Sequence, residues 1–271
     1  MSAPSRLAAL GRRVRRFGPR YVAAELALRT TRRAGERLED ALLEIEGARG
    51  VFGPAHQGWR DNSAAENRRR WDQWDWSRLG EEWTASEPWK QAMVDEVVLP
   101  TIPPGGTVLE IGPGGGRWSV VLQPRAARLI LVDVAQRPLD LLAERLGEAG
   151  NVEYVLTSGS ALVGVDDASV DAVWSFDVFV HVAPVDQAGY LDEIARVLRP
   201  GGVAAFHHAD GRNRGAAPSR RGWRAPMTAE LFAALARERG LTVERQLRSW
   251  SGGAHGLDAF NDVITVLRRP S

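Results

Sequence analysis

From about residue 105 onward, short runs of aliphatic and β-branched residues alternate with stretches of helical period. The runs TVLEI (107–111), LILVD (129–133), VEYVL (152–156), VDAVWSF (170–176) and GVAAFHH (202–208) are predicted strands. RPLDLLAERLGEA and AGYLDEIARVL, which lie between them, space their apolar residues for helices. Strands alternating with helices predict an α/β domain built on a parallel sheet. Beyond the fifth strand, TAELFAALARERG reads as a helix that Thr228 caps. LTVERQLRSW and DAFNDVITVLR then close the chain as a strand pair.

The first hundred residues follow a different pattern. Residues 1 to about 50 are rich in helix formers and in arginine, and residues 51–100 gather Trp59, Trp71, Trp74, Trp76, Trp83 and Trp89. This predicts an N-terminal helical, tryptophan-rich extension and lid over 1–104, followed by the α/β domain over 105–271. Within residues 1–37 ten arginines face only Glu25 and Glu36. Such an arm reads either as a surface for an anionic partner or membrane, or as a solvated helix face.

Composition narrows the chemistry. The chain of 271 residues has no cysteine, which removes disulfides, thiolate metal sites and cysteine nucleophiles. A cytoplasmic setting is the expectation, with no secretory signal and no apolar run long enough for a membrane span.

The richest stretch is VLEIGPGGGRW. A strand ends at Glu110, and Gly112, Gly114 and Gly116 form the turn into a helix, where bare backbone lets a ligand approach closely. The second strand ends at Asp133, placed for a carboxylate to accept hydrogen bonds from ribose hydroxyls. A dinucleotide site would want a further glycine where Arg117 stands, and Glu110 would repel a pyrophosphate; a cationic cofactor suits it better. On these residues, and on the runs VDAVWSFDVFVHV and LDEIARVLRPGGVAAF, the chain resembles the class I S-adenosylmethionine-dependent methyltransferases over about 105–268.

The resemblance implies a Rossmann-like seven-stranded, mostly parallel sheet with helices on both faces, and S-adenosyl-L-methionine as cofactor. It implies that Glu110 and the loop Gly112–Gly116 hold the methionine moiety and that Asp133 binds the ribose. Val134 and Gln136 would lie near the adenine edge. Where relatives carry an acidic residue after strand three, this chain offers Ser160 and Ala161. Ser175 and Phe176 would end strand four beside the cofactor, and Trp83 is the lid ring expected nearest to it.

Methyl transfer needs an aligned nucleophile and removal of its proton, for which histidine is the commonest base. Asp177 and His181 stand four apart and would share a helical face; His181 reads as a base or as packing behind the cofactor. In AFHHAD, strand alternation sends His207 and His208 to opposite faces. The expectation is that His208, with Asp210, faces the acceptor while His207 supports the fold; a metal site from Asp177, His208 and Asp210 is the lesser alternative. The loop arginines Arg212, Arg214, Arg220, Arg221 and Arg224 read either as contacts for an anionic substrate or as a solvated loop. The function expected is methyl transfer to a small molecule, at a hydroxyl oxygen in sugar or specialised-metabolite tailoring. A nucleic-acid methyltransferase using the basic arm, and a non-catalytic cofactor-binding protein, are the alternatives.

Overall fold

The computed structural model describes residues 62–147, 149–211, 224–257 and 262–271, besides Pro19 and Ala23. The basic arm, Trp59 and Arg212, Arg214, Arg220 and Arg221 lie outside the described residues. The tryptophan segment buries Trp76, Trp89 and Met93 and belongs to the same compact unit as the sheet.

That segment begins with α1 (Ala64–Asp72), whose Ser63 hydroxyl accepts the Glu66 N–H while the Glu66 carboxylate accepts the Asn62 N–H. This reciprocal exchange fixes the helix start, in the manner of a capping box. Two 3-10 turns, Trp76–Arg78 and Glu81–Trp83, are joined by Leu79 and Gly80, both at positive φ. Helix α2 (Glu87–Met93) runs through a π turn (Val94–Val98) into the short α3 (Leu99–Thr101).

The sheet follows in chain order: β1 (Thr107–Ile111), α4 (Ser119–Leu122), β2 (Arg128–Asp133), α5 (Gln136–Leu146), β3 (Val152–Leu156) and β4 (Val170–Ser175). Next come α6 (Pro184–Val197), β5 (Leu198–Ala209), α7 (Ala229–Glu238), β6 (Thr242–Leu247), the two-residue strands β7 (Ser249–Trp250) and β8 (His255–Gly256), and β9 (Asp262–Arg268). Thr228 caps α7 as expected, its hydroxyl accepting the Leu231 N–H at 3.1 Å.

The seven strands lie in the order β3-β2-β1-β4-β5-β9-β6. The first five run parallel, and β9 inserts antiparallel between β5 and β6. Both faces are covered. Leu109, Val132, Val173 and Phe206 face α6 and α7 through Leu191, Ile194 and Phe232. Val108, Leu131, Trp174 and Ala205 face α2, α4 and α5 through Met93, Leu122 and Leu142. Because β1 has β2 on one flank and β4 on the other, the loop after β1 sits at the centre of the carboxyl edge, where open α/β sheets bind ligands.

Candidate active site

The β1–α4 loop turns on Gly112, Gly114 and Gly116, at φ of 67°, 55° and 87°. These are left-handed conformations that side chains resist. Close approach adds a second demand: a Cβ on Gly115 would stand 2.5 Å from the backbone of Leu79, and one on Gly114 would stand 2.9 Å from the Trp76 ring. The tryptophan segment is thus seated directly on the glycine loop.

Between them opens a pocket of about 880 Å³, counting the open solvent at its mouth. Its floor includes Gly112, Gly114, Asp133 and Val134; its wall includes Trp71, Trp76, Trp83 and Phe176. Trp83 stands edge-on to both Trp71 and Trp76, with ring centroids 6.0 Å apart in each pair. At that separation the rings touch one another, so they form a continuous aromatic wall rather than a hollow cage.

Asp133 is buried at the end of β2, where one carboxylate oxygen accepts the Ala135 N–H at 3.0 Å. Burial pushes its pKa up to about 7 against the pull of these backbone donors. Glu110 does not line the pocket. It is buried beneath the loop, accepts the Ser119 hydroxyl at 2.6 Å, and is pushed by burial up to about 8. Ser175 ties β4 to β1 by donating to the Ile111 carbonyl at 2.9 Å. Gln136 donates to Asp140 on an exposed helix face, and Gly159, rather than Ser160 or Ala161, reaches the pocket.

The structure rearranges the expected acid–base residues. Asp177 lines the pocket, but it does not share a helical face with His181: its φ is 61°, and only Phe179–His181 coils, as a single 3-10 turn. Its carboxylate bonds Arg117 and stands 3.0 Å from Nδ1 of His207. Burial alone would raise its pKa, yet the guanidinium and the imidazole outweigh this and hold it well below the carboxylate range. His181 is buried against the Trp71 ring, and its carbonyl accepts the Asn67 amide at 2.8 Å.

The two strand histidines do point to opposite faces, with the assignment reversed. His208 is fully buried under α7, stacked 4.0 Å from Phe232. A carbonyl can only accept, so Nδ1 donates to the Ala209 oxygen at 2.9 Å and Nε2 accepts the Thr265 hydroxyl at 2.8 Å. Burial pushes its pKa down to about 3. Asp210 caps α7 through the Ala229 N–H and bonds Arg248, and it acts on His208 as a nearby negative charge. His207 instead faces Asp177 and stacks on Phe176 at 4.3 Å. Burial lowers its pKa, but Asp177 and Asp262 overcome this and raise it.

Residues missed in the sequence include Asn67, Trp118, Asp186 and Tyr190, all of which line the pocket. Arg117 is a further one: it had been noted only as a departure from a glycine, yet it carries the ion pair to Asp177. Its position directly after the glycine loop was the available signal.

Residues 109–206 match the methyltransferase-domain family. That match covers about a third of the chain, and it takes in the glycine loop and strands β2 to β4 of the seven-stranded sheet. Among similar proteins, the dimethylglycine N-methyltransferase of Parasynechococcus marenigrum is 32% identical over 133 residues, 45% of this chain and 44% of that protein. The ubiquinone biosynthesis O-methyltransferase of Hahella chejuensis is 32% identical over 104 residues, 38% of this chain and 43% of its own. The match thus spans less than half the length of these curated relatives. The fold is shared with the N-methyltransferase NodS of Bradyrhizobium japonicum, solved with S-adenosyl-L-homocysteine: TM-score 0.59 at 21% identity, covering 78% of this chain and 100% of that one.

The residues present fit an adenosyl sulfonium cofactor. The glycine turn bares its backbone to the pocket, Asp133 offers a buried carboxylate to hydroxyl groups, and the aromatic wall suits a cation. Among the described residues no helix is long and apolar enough to cross a membrane.

Proposed function

We propose that this protein is an S-adenosylmethionine-dependent methyltransferase acting on a small molecule. The observation that carries the reading is the single pocket shared by the glycine loop, Asp133 and the tryptophan wall. The cofactor supplies, when bound, a methyl group on a sulfonium. Asp133 would hold the ribose, the loop backbone the methionine end, and the wall would keep water from the transfer path.

The finer expectation, transfer to a hydroxyl oxygen in sugar or specialised-metabolite tailoring, requires a base. Asp177 is held ionised and is a feeble base, Asp133 is committed to the ribose in this reading, and neither His208 nor His181 lines the pocket. An acceptor that is nucleophilic before it loses a proton, such as a neutral amine nitrogen, suits the pocket better than an alkyl hydroxyl. The relatives include both N- and O-methyltransferases, so the choice rests on the pocket. Nucleic-acid methylation draws its support only from the basic arm, outside the described residues. A cytoplasmic setting belongs to this reading through the cysteine-free composition.

The test is incubation of the full chain with methyl-labelled cofactor and a fractionated cell extract. Label should enter the low-molecular-weight fraction. Label confined to nucleic acid or protein, or cofactor binding with no transfer in any fraction, would overturn the proposal.

A further inference from the structure

Arg117 and Trp118 follow the glycine loop and both line the pocket, yet each is nearly inaccessible, at 4% and 2% exposure. Arg117 spends Nη2 on Asp177, while its Nη1 has no acceptor among the described residues; the Trp118 indole N–H has none among them either. These two donors differ from other buried N–H groups without a described partner, such as those of Trp174 and Trp250, in belonging to adjacent residues that line the pocket.

Their surroundings favour an anion. From Arg117 a chain of alternating charge runs to Asp177, to His207 (3.0 Å), to Asp262 (3.3 Å) and to Arg224 (2.9 Å). Arg117 and Arg224 balance Asp177 and Asp262 in charge, so protonation of His207, whose Nδ1 also lies 3.1 Å from the Asp177 N–H, would add a positive charge. Asp262 Oδ1 is also without a partner among the described residues, but Asp262 does not line the pocket. Glu81 and Glu110, the other carboxylates that feel Arg117, are taken by Lys90 and Thr84 and by Ser119 respectively. Position then separates the two ends of the site. Asp133 ends β2 on one flank of β1, whereas the Arg117 guanidinium lies over Phe176 (5.3 Å), just past β4 on the other flank.

The geometry points to a carboxylate-binding subsite at Arg117 and Trp118, on the β4 side of the pocket, that receives a carboxylate of the methyl acceptor. A guanidinium matches that group in shape and charge, and the indole adds a second donor. The acceptor is thus a small carboxylic acid that carries its nucleophile elsewhere. This rests on the methyltransferase reading. The cofactor's own methionine carboxylate is the competing source of the same chemistry.

Calorimetry on the full chain separates them. The chain loaded with S-adenosyl-L-homocysteine is titrated with benzoate and propanoate, and with benzamide and propanamide as uncharged counterparts. At least one carboxylate should bind about tenfold or more tighter than its amide. Arg117→Met should abolish that preference and Trp118→Phe should weaken it, with S-adenosyl-L-homocysteine affinity within about twofold of the unaltered chain. Methylthioadenosine, which lacks the amino-acid end, serves as the folding control for both variants. If Arg117→Met lost S-adenosyl-L-homocysteine affinity but kept methylthioadenosine affinity, the carboxylate would be the cofactor's and the inference would be wrong. Equal binding of acids and amides would also overturn it. Failure of the unaltered chain to bind either nucleoside would instead sink the methyltransferase reading itself.

Discussion

Glu110 and Asp133 are buried acids whose pKa values lie near 8 and 7, against ordinary values near 4.5 and 3.8. The folded protein therefore keeps protons that the unfolded chain releases, and stability falls as pH rises from about 4 to about 8. Urea unfolding at pH 5 and pH 8 should show this loss for the ligand-free chain, and Glu110→Gln should flatten it by up to about 1.4 kcal/mol per pH unit. His207 acts in the same direction: its contribution is full below its ordinary pKa and is lost as pH climbs through the raised value. Asp177 acts oppositely, losing its contribution as pH falls below the ordinary carboxylate range. His208 is a structural residue in this account. His208→Ala leaves a hole beside Phe232 and strips a partner from Thr265, so it should cost roughly 2–4 kcal/mol of stability. The pH profile of turnover by the folded fraction should not move. A shifted profile would restore His208 to the reaction.

At the scale of elements, the contact between the glycine loop and the 3-10 turns is backbone against backbone. Gly115→Ala would press a methyl group to within 2.5 Å of Leu79, so the loop or the turn must move. A destabilisation of about 1–3 kcal/mol and weaker nucleoside binding are expected. Gly150→Ala, which meets nothing within 4 Å, should stay within about 0.5 kcal/mol of the unaltered chain. The same elements explain what could be read in the sequence. Strands β1 to β5 announce themselves by apolar runs broken by helical periods, and the Gly112–Gly116 turn and Asp133 follow from where those strands end. The lid geometry does not, because Leu79 and Gly80 adopt positive φ in a segment without periodicity. The histidine pair was half legible. Alternation split His207 from His208, but helices cover both faces of β5, so no polar–apolar contrast marks which face meets the pocket. That choice depends on register: Ala205, two residues before His207, pairs with Trp174 in β4, and both lie on the face that continues to Phe176.

For the whole molecule, the proposed function sets cofactor and acceptor ends on opposite flanks of β1 in the pocket over the glycine loop. A ligand that binds only the folded state stabilises it by mass action. At a hundredfold excess over its Kd the gain is about 2.7 kcal/mol, or roughly 5–10 °C in Tm for a domain of this size. S-adenosyl-L-homocysteine should produce that shift, and Asp133→Ala should remove most of it. The most direct measurement is isothermal titration of the full chain with S-adenosyl-L-homocysteine, alongside the Asp133→Ala variant. The account predicts one site per chain and an affinity lowered about 10- to 100-fold by the substitution. Absence of binding to the unaltered chain, or equal affinity in the variant, would contradict it.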